Sequence, residues 1–339
     1  VYDASEALTP GRHRLSIRVE NSLVPLNVGP NAHSVSDQTQ SAWNGIVGQL
    51  VLQASAPVWI ENVQVYPDIT RKTARLVIQT GNRTGEVAAG TIAFGVRPML
   101  TDQPDSPTAS VEQHIDVPAE GGEHSVELSL GPSVLLWDEF TPHRYALSAT
   151  LRSRHGEDRA VETFGMREVT TRGSQIVVNG RPVFLRGTLE CCIFPLSGYP
   201  PTDVASWKRI LEVCRAYGLN HMRFHSWCPP EAAFEAADEL GFYFQVECST
   251  WPNSGVSLGA GDPIDTWLYR EADRILAAYG NHPSFLLLAS GNEPAGAERG
   301  GKFLGPWVKH YRQKDGRRLV TSAGGWPAIA ENAYHVLPQ

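Results

Sequence analysis

The sequence predicts a multidomain fold, with β-sandwich structure in the first half of the chain and an α/β unit of parallel strands in the second half. Its 339 residues exceed what one ordinary hydrophobic core holds. Short runs that alternate polar and apolar residues fill the first half, and strands alternate with helices after about residue 175. The fold class is therefore β followed by α/β.

The β half contains runs with a period of two residues, which is typical of half-buried strands. Turn-forming clusters separate these runs, for example at residues 81–85 and 102–107. About 100 residues lie between Pro57 and Phe164, which is the size of one immunoglobulin-like sandwich, so residues 1–56 are expected to end a separate β domain. Strands are predicted at residues 13–19, 48–52, 58–65, 74–79, 91–96 and 143–151.

The second half contains five strand–helix repeats, the pattern of βαβ units with a parallel sheet. No glycine-rich phosphate loop opens the first helix, which favours a (β/α)8 TIM barrel over a doubly wound sheet. A whole barrel takes roughly 250 residues, so residues 166–339 are expected to form a partial barrel and residues 57–165 the sandwich. Strands are predicted at residues 183–187, 221–224, 242–246, 285–289 and 318–322, and helices at residues 203–217, 230–240, 263–279 and 306–313.

The composition argues against several classes of partner. The chain has a net charge of −7 and no run of Lys or Arg, which disfavours nucleic acid or an anionic membrane. No apolar stretch reaches the roughly 20 residues of a membrane helix, and no cofactor is expected. The chain starts at Val1 without an initiator Met or a signal-like segment, so we expect that an upstream part has been removed.

Polar residues stand where the predicted parallel strands end, which is where (β/α)8 enzymes carry their catalytic groups. We expect three carboxylates, an arginine, a histidine and an amide to converge on this rim. The candidates are Glu190 after strand one, Arg223, His225 and Trp227 around the end of strand two, Glu247 at strand three, Asn292 and Glu293 after strand four, and Trp326 after strand five.

The carboxylates suggest hydrolysis of a glycosidic bond. Retention of configuration needs one protonated and one ionised carboxyl group about 5 to 5.5 Å apart. In the pair Asn292-Glu293, an acid stands beside an amide that could hydrogen-bond a sugar hydroxyl. A structural alternative is that Glu293 only begins the next helix, because helix N-termini favour acidic residues. Its position at the end of strand four, among the other rim residues, favours the catalytic role.

Four segments resemble the glycoside hydrolase family 2 enzymes, which include β-galactosidases, β-glucuronidases and β-mannosidases. Residues 178–187 (VNGRPVFLRG) resemble the segment that opens their barrel, and residues 236–247 (AADELGFYFQVE) resemble its third strand. Residues 281–284 (NHPS), leading to residues 291–293 (GNE), resemble their acid/base segment. Residues 43–48 (WNGIVG) are similar to the end of their jelly-roll sugar-binding domain.

This resemblance implies an exo-acting, retaining β-glycosidase that works on a carbohydrate by double displacement. Glu293 would be the general acid/base, Asn292 would hold the sugar 2-hydroxyl and Arg223 would help to position the nucleophile. This family carries its nucleophile on the seventh barrel strand, which is therefore expected beyond residue 339, and residues 1–56 would be the C-terminal part of the jelly-roll β-sandwich. The periplasm or the exterior of a bacterium would suit an enzyme that degrades polysaccharides. The resemblance is also compatible with a homo-oligomer.

The chain departs from the family after Arg186-Gly187. Many members continue with an Asn and a His that contact the sugar, whereas this chain has Thr-Leu-Glu-Cys-Cys at residues 188–192. The sugar and the linkage are therefore not predicted. His225 lies near the place where some members carry a sugar-binding His, but at a different spacing from Arg223.

Two other classes of function stay open on the residues alone. A zinc site could use cysteines together with His225 and Glu247, although no compact Cys-x-x-Cys motif is present and free cysteines are often small buried side chains. A non-catalytic carbohydrate-binding protein could use exposed tryptophans as platforms, although each indole is also a natural core residue. The cysteines expected near the rim are Cys191 or Cys192, Cys228 and Cys248, while Cys214 is the fifth cysteine of the chain; the candidate platform tryptophans are Trp43, Trp227, Trp251 and Trp326.

Overall fold

A computed structural model describes residues 2–20, 26–36, 45–48, 50–99, 108–295 and 297–336. Within these ranges, antiparallel sheets precede a parallel sheet whose strands alternate with helices. No helix in the described ranges is long and apolar enough to cross a membrane.

A β-sandwich begins at residue 58. The described part of it has the strands β1 (Val58–Asp68), β2 (Thr73–Asn82), β3 (Ala88–Pro98), β4 (Ala109–Val117), β5 (Gly122–Ser129), β6 (Tyr145–Ser153) and β7 (Gly156–Phe164). One sheet has the order β1-β2-β5 and the other β4-β3-β6-β7, and all pairs are antiparallel. Alternate side chains point between the sheets, where Val63, Leu76, Ile92 and Leu147 share one buried core. The four strands predicted between residues 58 and 151 are confirmed as β1, β2, β3 and β6.

The residues before β1 differ from the prediction. Residues 13–19 form no strand, and Leu15 is 72% exposed. A half-buried strand needs a neighbour for its backbone hydrogen bonds and a core for its apolar face, and the described residues provide neither here. The described part of residues 48–52 is also without strand structure. Trp43 and the turn predicted at residues 102–107 lie outside the described residues.

A small antiparallel sheet stands where the first barrel strand was predicted. Its strands are β8 (Val169–Arg172), β9 (Gln175–Val178) and β10 (Arg181–Val183). Asn179 and Gly180 connect β9 to β10 with φ of +50° and +77°, the geometry of a tight two-residue hairpin. This turn returns the chain antiparallel to β9, so the first parallel strand starts at Gly187 and not at Val183.

The predicted alternation of parallel strands and helices is confirmed. The strands β11 (Gly187–Glu190), β12 (His221–Phe224), β13 (Tyr243–Glu247), β14 (Phe285–Ala289) and β15 (Leu319–Thr321) pair in chain order, all parallel. The intervening helices are α1 (Val204–Ala216), α2 (Glu231–Leu240), α3 (Pro263–Tyr279) and α4 (Ala297–Lys314). All residues of β13 and β14 are buried, as expected of parallel strands covered on both faces.

Local signals set the helix ends. The Asp203 side chain accepts a hydrogen bond from the Ser206 N–H at 2.8 Å and caps α1. Gly241, with φ of +70°, ends α2, and Pro263 is the first residue of α3. The prediction for α4 was wrong at its start, because Pro306 lies inside the helix and does not begin it.

Asn281 joins the sandwich to the parallel sheet. Its Oδ1 accepts hydrogen bonds from the Val65 N–H (2.8 Å) and from Arg317 Nη1 (3.1 Å). Its Nδ2 donates to the Val63 carbonyl (2.8 Å) and to Glu162 Oε2 (2.9 Å). One amide thus satisfies backbone groups of β1 and, at the same time, orients the loop that leads into β14.

We expect Asn281→Ala to lower the free energy of unfolding by about 2–4 kcal/mol, because buried polar groups left without a partner cost about 1–3 kcal/mol each. Urea unfolding followed by circular dichroism measures the change. Asn62→Ala is the matched control, since Asn62 makes only one direct bond across the same junction, to the Ala277 carbonyl (3.1 Å), and should lose less than about 1 kcal/mol. Equal losses in the two variants would contradict the assigned role of Asn281.

Candidate active site

The C-terminal ends of the parallel strands lie side by side. In the parallel register, Leu189 is beside Arg223, and Glu247 is beside Ala289. Glu190 ends β11 in the same row. The residues that follow β14 continue from this edge, so the polar residues named from the sequence meet at one rim of the sheet.

Arg223 lies at the centre of a network at this rim. Its Nε donates to Glu247 Oε1 at 2.6 Å, and its Nη2 donates to Asn292 Oδ1. Glu247 also accepts a hydrogen bond from the Ser226 N–H at 2.7 Å and one from Gln245 Nε2 at 3.3 Å. We call these five residues the arginine network.

Glu247 is enclosed within this network and does not offer a carboxylate to a ligand. Its side chain is fully buried, and donors occupy both of its oxygens. Burial raises the pKa of the Glu247 carboxyl, while the Arg223 charge acts in the opposite direction. The sequence predicted that Glu247 contacts the substrate. In the structure, Glu247 instead binds Arg223 and fixes its position.

Asn292 has an amide whose orientation is fixed by Arg223. Because Oδ1 accepts from the guanidinium, Nδ2 is left as a donor, and this buried atom makes no hydrogen bond to the described residues. The Asn292 backbone N–H donates to the Thr250 carbonyl at 3.0 Å. The side chain is therefore held in place to donate a hydrogen bond to an acceptor that the described chain does not supply.

Glu293 is held by its backbone and leaves its carboxylate unbonded. Its N–H donates to the Gly324 carbonyl at 2.8 Å, and its φ is +34°. The side chain is half-buried and makes no hydrogen bond or ion pair within the described part of the chain. Helix α4 begins only at Ala297, so Glu293 is not in its first turn. The carboxyl is available for proton transfer to a ligand at the rim.

Comparison with known proteins matches this architecture. The sequence model of the family described as glycosyl hydrolases family 2 matches residues 58–167 of this chain. A β-galactosidase of Arthrobacter sp. (strain B7) is 27% identical over 298 residues, which are 86% of this chain and 26% of that protein. A β-galactosidase of Enterobacter cloacae is 25% identical over 342 residues, 96% of this chain and 31% of that protein. The chain is thus similar to glycoside hydrolase family 2.

Solved structures of the family share the fold. A β-galacturonidase from Eisenbergiella tayi bound to galacturonate superposes with a TM-score of 0.70 at 19% identity, covering 90% of this chain and 52% of that one. A family 2 member from Bacteroides cellulosilyticus has a TM-score of 0.64 at 20% identity, covering 81% and 37%. The chain thus spans about a quarter to a third of the length of the β-galactosidases named above.

Glu190, where this chain departs from the family, is half-buried at the end of β11. Its Oε2 accepts a hydrogen bond from the Cys192 N–H at 2.8 Å, and its Oε1 accepts one from the Ile193 N–H at 3.3 Å. Burial raises the pKa of Glu190 to about 7, against the lowering effect of these N–H groups. The carboxyl therefore titrates near neutral pH.

His225 is buried and uncharged. Its ring meets the rings of His33 and Trp251 edge to face, with centroid distances of 4.5 and 4.6 Å. Burial and the neighbouring Arg223 lower the pKa of His225 to about 3. The segment before the sandwich thus reaches the rim through His33, a contact that no pattern in the sequence indicated.

Trp227 and Trp326, the two tryptophans predicted to lie at the rim, differ in exposure. Trp227 is 3% exposed and packs on Phe224 in the core, so it is not a platform for a sugar. Trp326 is 42% exposed, and its Nε1 donates to the Pro294 carbonyl at 3.0 Å. This bond fixes the indole next to the loop that carries Glu293.

The five cysteines are free thiols. Among the described residues there is no group of three or more His, Cys, Asp or Glu side chains placed to hold a metal ion. The zinc site considered from the sequence therefore has no ligand set in the described chain.

Gly324 and Gly325 were not predicted from the sequence, although a Gly-Gly pair shortly after strand five was the available signal. A Cβ at Gly324 would stand 2.0 Å from Arg223 Nη2 and 2.7 Å from Glu247 Oε1. At Gly325, where φ is +89°, a Cβ would stand 2.7 Å from Glu293 Cγ. Only glycine lets this loop lie against the network and the candidate acid together.

We expect Gly324→Ala to displace the Arg223 guanidinium and to lower the free energy of unfolding by about 1–3 kcal/mol, as overpacking does. Urea unfolding and a crystal structure of the variant measure the two effects. Gly316→Ala is the control, because a Cβ there meets nothing within 4 Å, and it should change stability by less than about 0.5 kcal/mol. An unmoved Arg223 in Gly324→Ala would refute the close contact.

The pKa of Glu190 makes stability depend on pH. The native carboxyl keeps its proton up to about pH 7, whereas the unfolded one loses it near 4.5, so stability falls as the pH rises through this window and is level above it. Glu190→Gln should flatten the decline, as measured by urea unfolding at intervals from pH 4.5 to 8. Glu112→Gln, at an exposed position of β4, should keep the parent's slope, and an unchanged slope in Glu190→Gln would contradict the assignment.

Proposed function

We propose that this chain contributes the acid/base half of a retaining β-glycosidase. The observation that carries the proposal is a donor and an acid side by side: the Arg223-oriented amide of Asn292, with a buried unpaired Nδ2, next to the unbonded carboxyl of Glu293. Similarity to glycoside hydrolase family 2 supports the same activity, because the matching relatives are named β-galactosidases and the matching structures include β-galacturonidases.

The mechanism that this arrangement serves is a double displacement. Protonated Glu293 gives its proton to the glycosidic oxygen while a second carboxylate attacks the anomeric carbon and the leaving group departs. Glu293 then takes a proton from the water that releases the sugar. Asn292 Nδ2 donates to a sugar hydroxyl, an interaction that strengthens in the transition state and supplies several kcal/mol in enzymes of this class.

The fold supports a corresponding division of the chain. We propose that residues 166–339 form the first part of a (β/α)8 TIM barrel, that residues 57–165 are an immunoglobulin-like sandwich and that residues 1–56 end a jelly-roll domain. β11 to β15 would then be barrel strands one to five, with their C-terminal ends forming the active rim. The nucleophile would lie on strand seven, after residue 339, and the enzyme would act on the ends of carbohydrate chains.

Two measurements test the function. Residues 1–339 alone should show no turnover of aryl β-glycosides, because one carboxyl cannot complete a double displacement, whereas the complete gene product should be active. In the complete protein, Glu293→Gln should slow substrates with poor leaving groups by about 10²–10⁴-fold, the usual contribution of proton transfer, and activated aryl glycosides by much less in the first step.

The exposed Glu112→Gln serves as the matched control and should leave both classes of substrate unaffected. An equal loss of rate for substrates with good and with poor leaving groups would mean that Glu293 is not the proton donor. Efficient hydrolysis by residues 1–339 would mean that a carboxylate already present, with Glu190 or Glu247 the nearest, acts as the partner.

A further inference from the structure

A cavity lies between α3 and the loops that precede α1 and α2. Its volume is about 360 Å³, at the lower end of the range for small-molecule sites. None of Arg223, Asn292 and Glu293 lines it. We call this space the α3 cavity, because one face of that helix lines it with side chains that recur at intervals of three and four residues: Glu271, Arg274, Ile275, Ala278 and Tyr279.

The loops supply the apolar part of the wall. The indole of Trp227 lines the cavity together with three proline rings, those of Pro200, Pro229 and Pro230. Proline rings fix the backbone dihedral φ, and the indole packs edge to face on Phe224 with centroids 5.3 Å apart. These groups are therefore in place before a ligand binds, and little side-chain ordering opposes binding.

Glu271 gives the cavity a charged group that can bind a ligand. Its side chain is half-buried, and within the described chain the carboxyl has the charge of Arg274 nearby but no direct hydrogen bond. Burial raises the pKa of Glu271, and Arg274 acts in the opposite direction. Because burial disfavours the charged carboxylate, a cation bound directly to it would restore stabilisation that water no longer supplies.

The charges around the α3 cavity favour a cation over an anion. Burial raises the pKa of the Cys228 thiol, which lines the cavity, and the charge of Glu271 raises it further. Burial also raises the pKa of Tyr279, and the charges of Glu231 and Glu271 add to this effect. Arg274 is exposed, so water and salt screen its charge more than that of half-buried Glu271. The inner wall is therefore on balance negative.

We propose that the α3 cavity binds a small organic cation, whose ammonium group meets the Glu271 carboxylate and whose compact apolar body lies against Trp227 and the proline rings. The volume is sufficient for one aromatic ring that carries an aminomethyl group. This inference does not depend on the proposed glycosidase function, because it uses none of the groups assigned to that reaction.

Three probes that differ in charge test the class of ligand. Benzylammonium, benzyl alcohol and benzoate share one aromatic ring, and their binding to the complete gene product can be measured by ligand-observed NMR titration. We expect benzylammonium to bind about tenfold tighter than benzyl alcohol, the gain from a charge-assisted hydrogen bond, and benzoate to bind weakest. Tighter binding of benzyl alcohol or benzoate than of benzylammonium would refute the cation class.

Glu271→Gln tests the carboxylate, because it removes the charge and keeps the shape of the side chain. The affinity for benzylammonium should fall about tenfold, to the level of benzyl alcohol, whose own affinity should not change. Glu212→Gln is the matched control, since it removes the same charge from an exposed position of α1 that does not line the cavity. An equal loss in both variants would mean that the probe responds only to net charge, which would overturn the proposal.

Ala278→Trp tests the place of binding. Ala278 is exposed and lines the cavity, so the indole should fill the space and abolish binding of both benzylammonium and benzyl alcohol, with the melting temperature held as a check on folding. Ala205→Trp, at an exposed position of α1 outside the cavity, should bind both probes like the parent. Full binding by Ala278→Trp, or no binding of any probe by the parent, would refute the site and would leave the role of Glu293 untouched.

Discussion

The ion pair between Arg223 and Glu247 is the interaction on which the rest of the rim depends. Both groups leave water when the sheet forms, and such a pair is tolerated only when further hydrogen bonds satisfy it. Gln245 and the Ser226 N–H supply these bonds to Glu247. Ser226 adopts φ of +53° to do so, an uncommon conformation for a residue other than glycine. The pair thus constrains the backbone after β12 and fixes the amide of Asn292.

The same constraint extends beyond the parallel sheet. Ser226 Oγ accepts from the His33 N–H, so the segment before the sandwich supports the strained residue. On the opposite end of the sheet, Asn281 and Arg317 connect β1 to the residues that precede β14 and β15. The strands that carry the candidate site are therefore held at both ends by parts of the chain that lie far away in sequence. This arrangement suits a site whose groups must stay in register.

The α/β half could be predicted because its sequence signals are local. The features that were not predicted depend on contacts between residues far apart in sequence. The strand–helix alternation and the starts of α1 to α3 followed from apolar periodicity, the Asp203 cap and Pro263, all of which act within a few residues. The convergence of Glu190, Arg223 and the residues after β14 followed from parallel strand order. The enclosure of Glu247 and the approach of His33 depend on contacts between residues far apart in sequence. No pattern in a single sequence encodes such contacts.

The three rim carboxyls differ in how their oxygens are used, and this difference bears on which one can react. Glu247 has donors on both oxygens and is fully enclosed. Glu190 has a backbone N–H on each oxygen, and its pKa of about 7 leaves it largely protonated below neutral pH. Only Glu293 presents a carboxyl without partners in the described chain. A retaining reaction needs a second, ionised carboxylate about 5 to 5.5 Å from the acid. Neither neighbour suits that role, because one is tied to Arg223 and the other readily takes up a proton. The described rim is therefore fitted to supply a single reacting carboxyl, which supports a nucleophile carried by another strand.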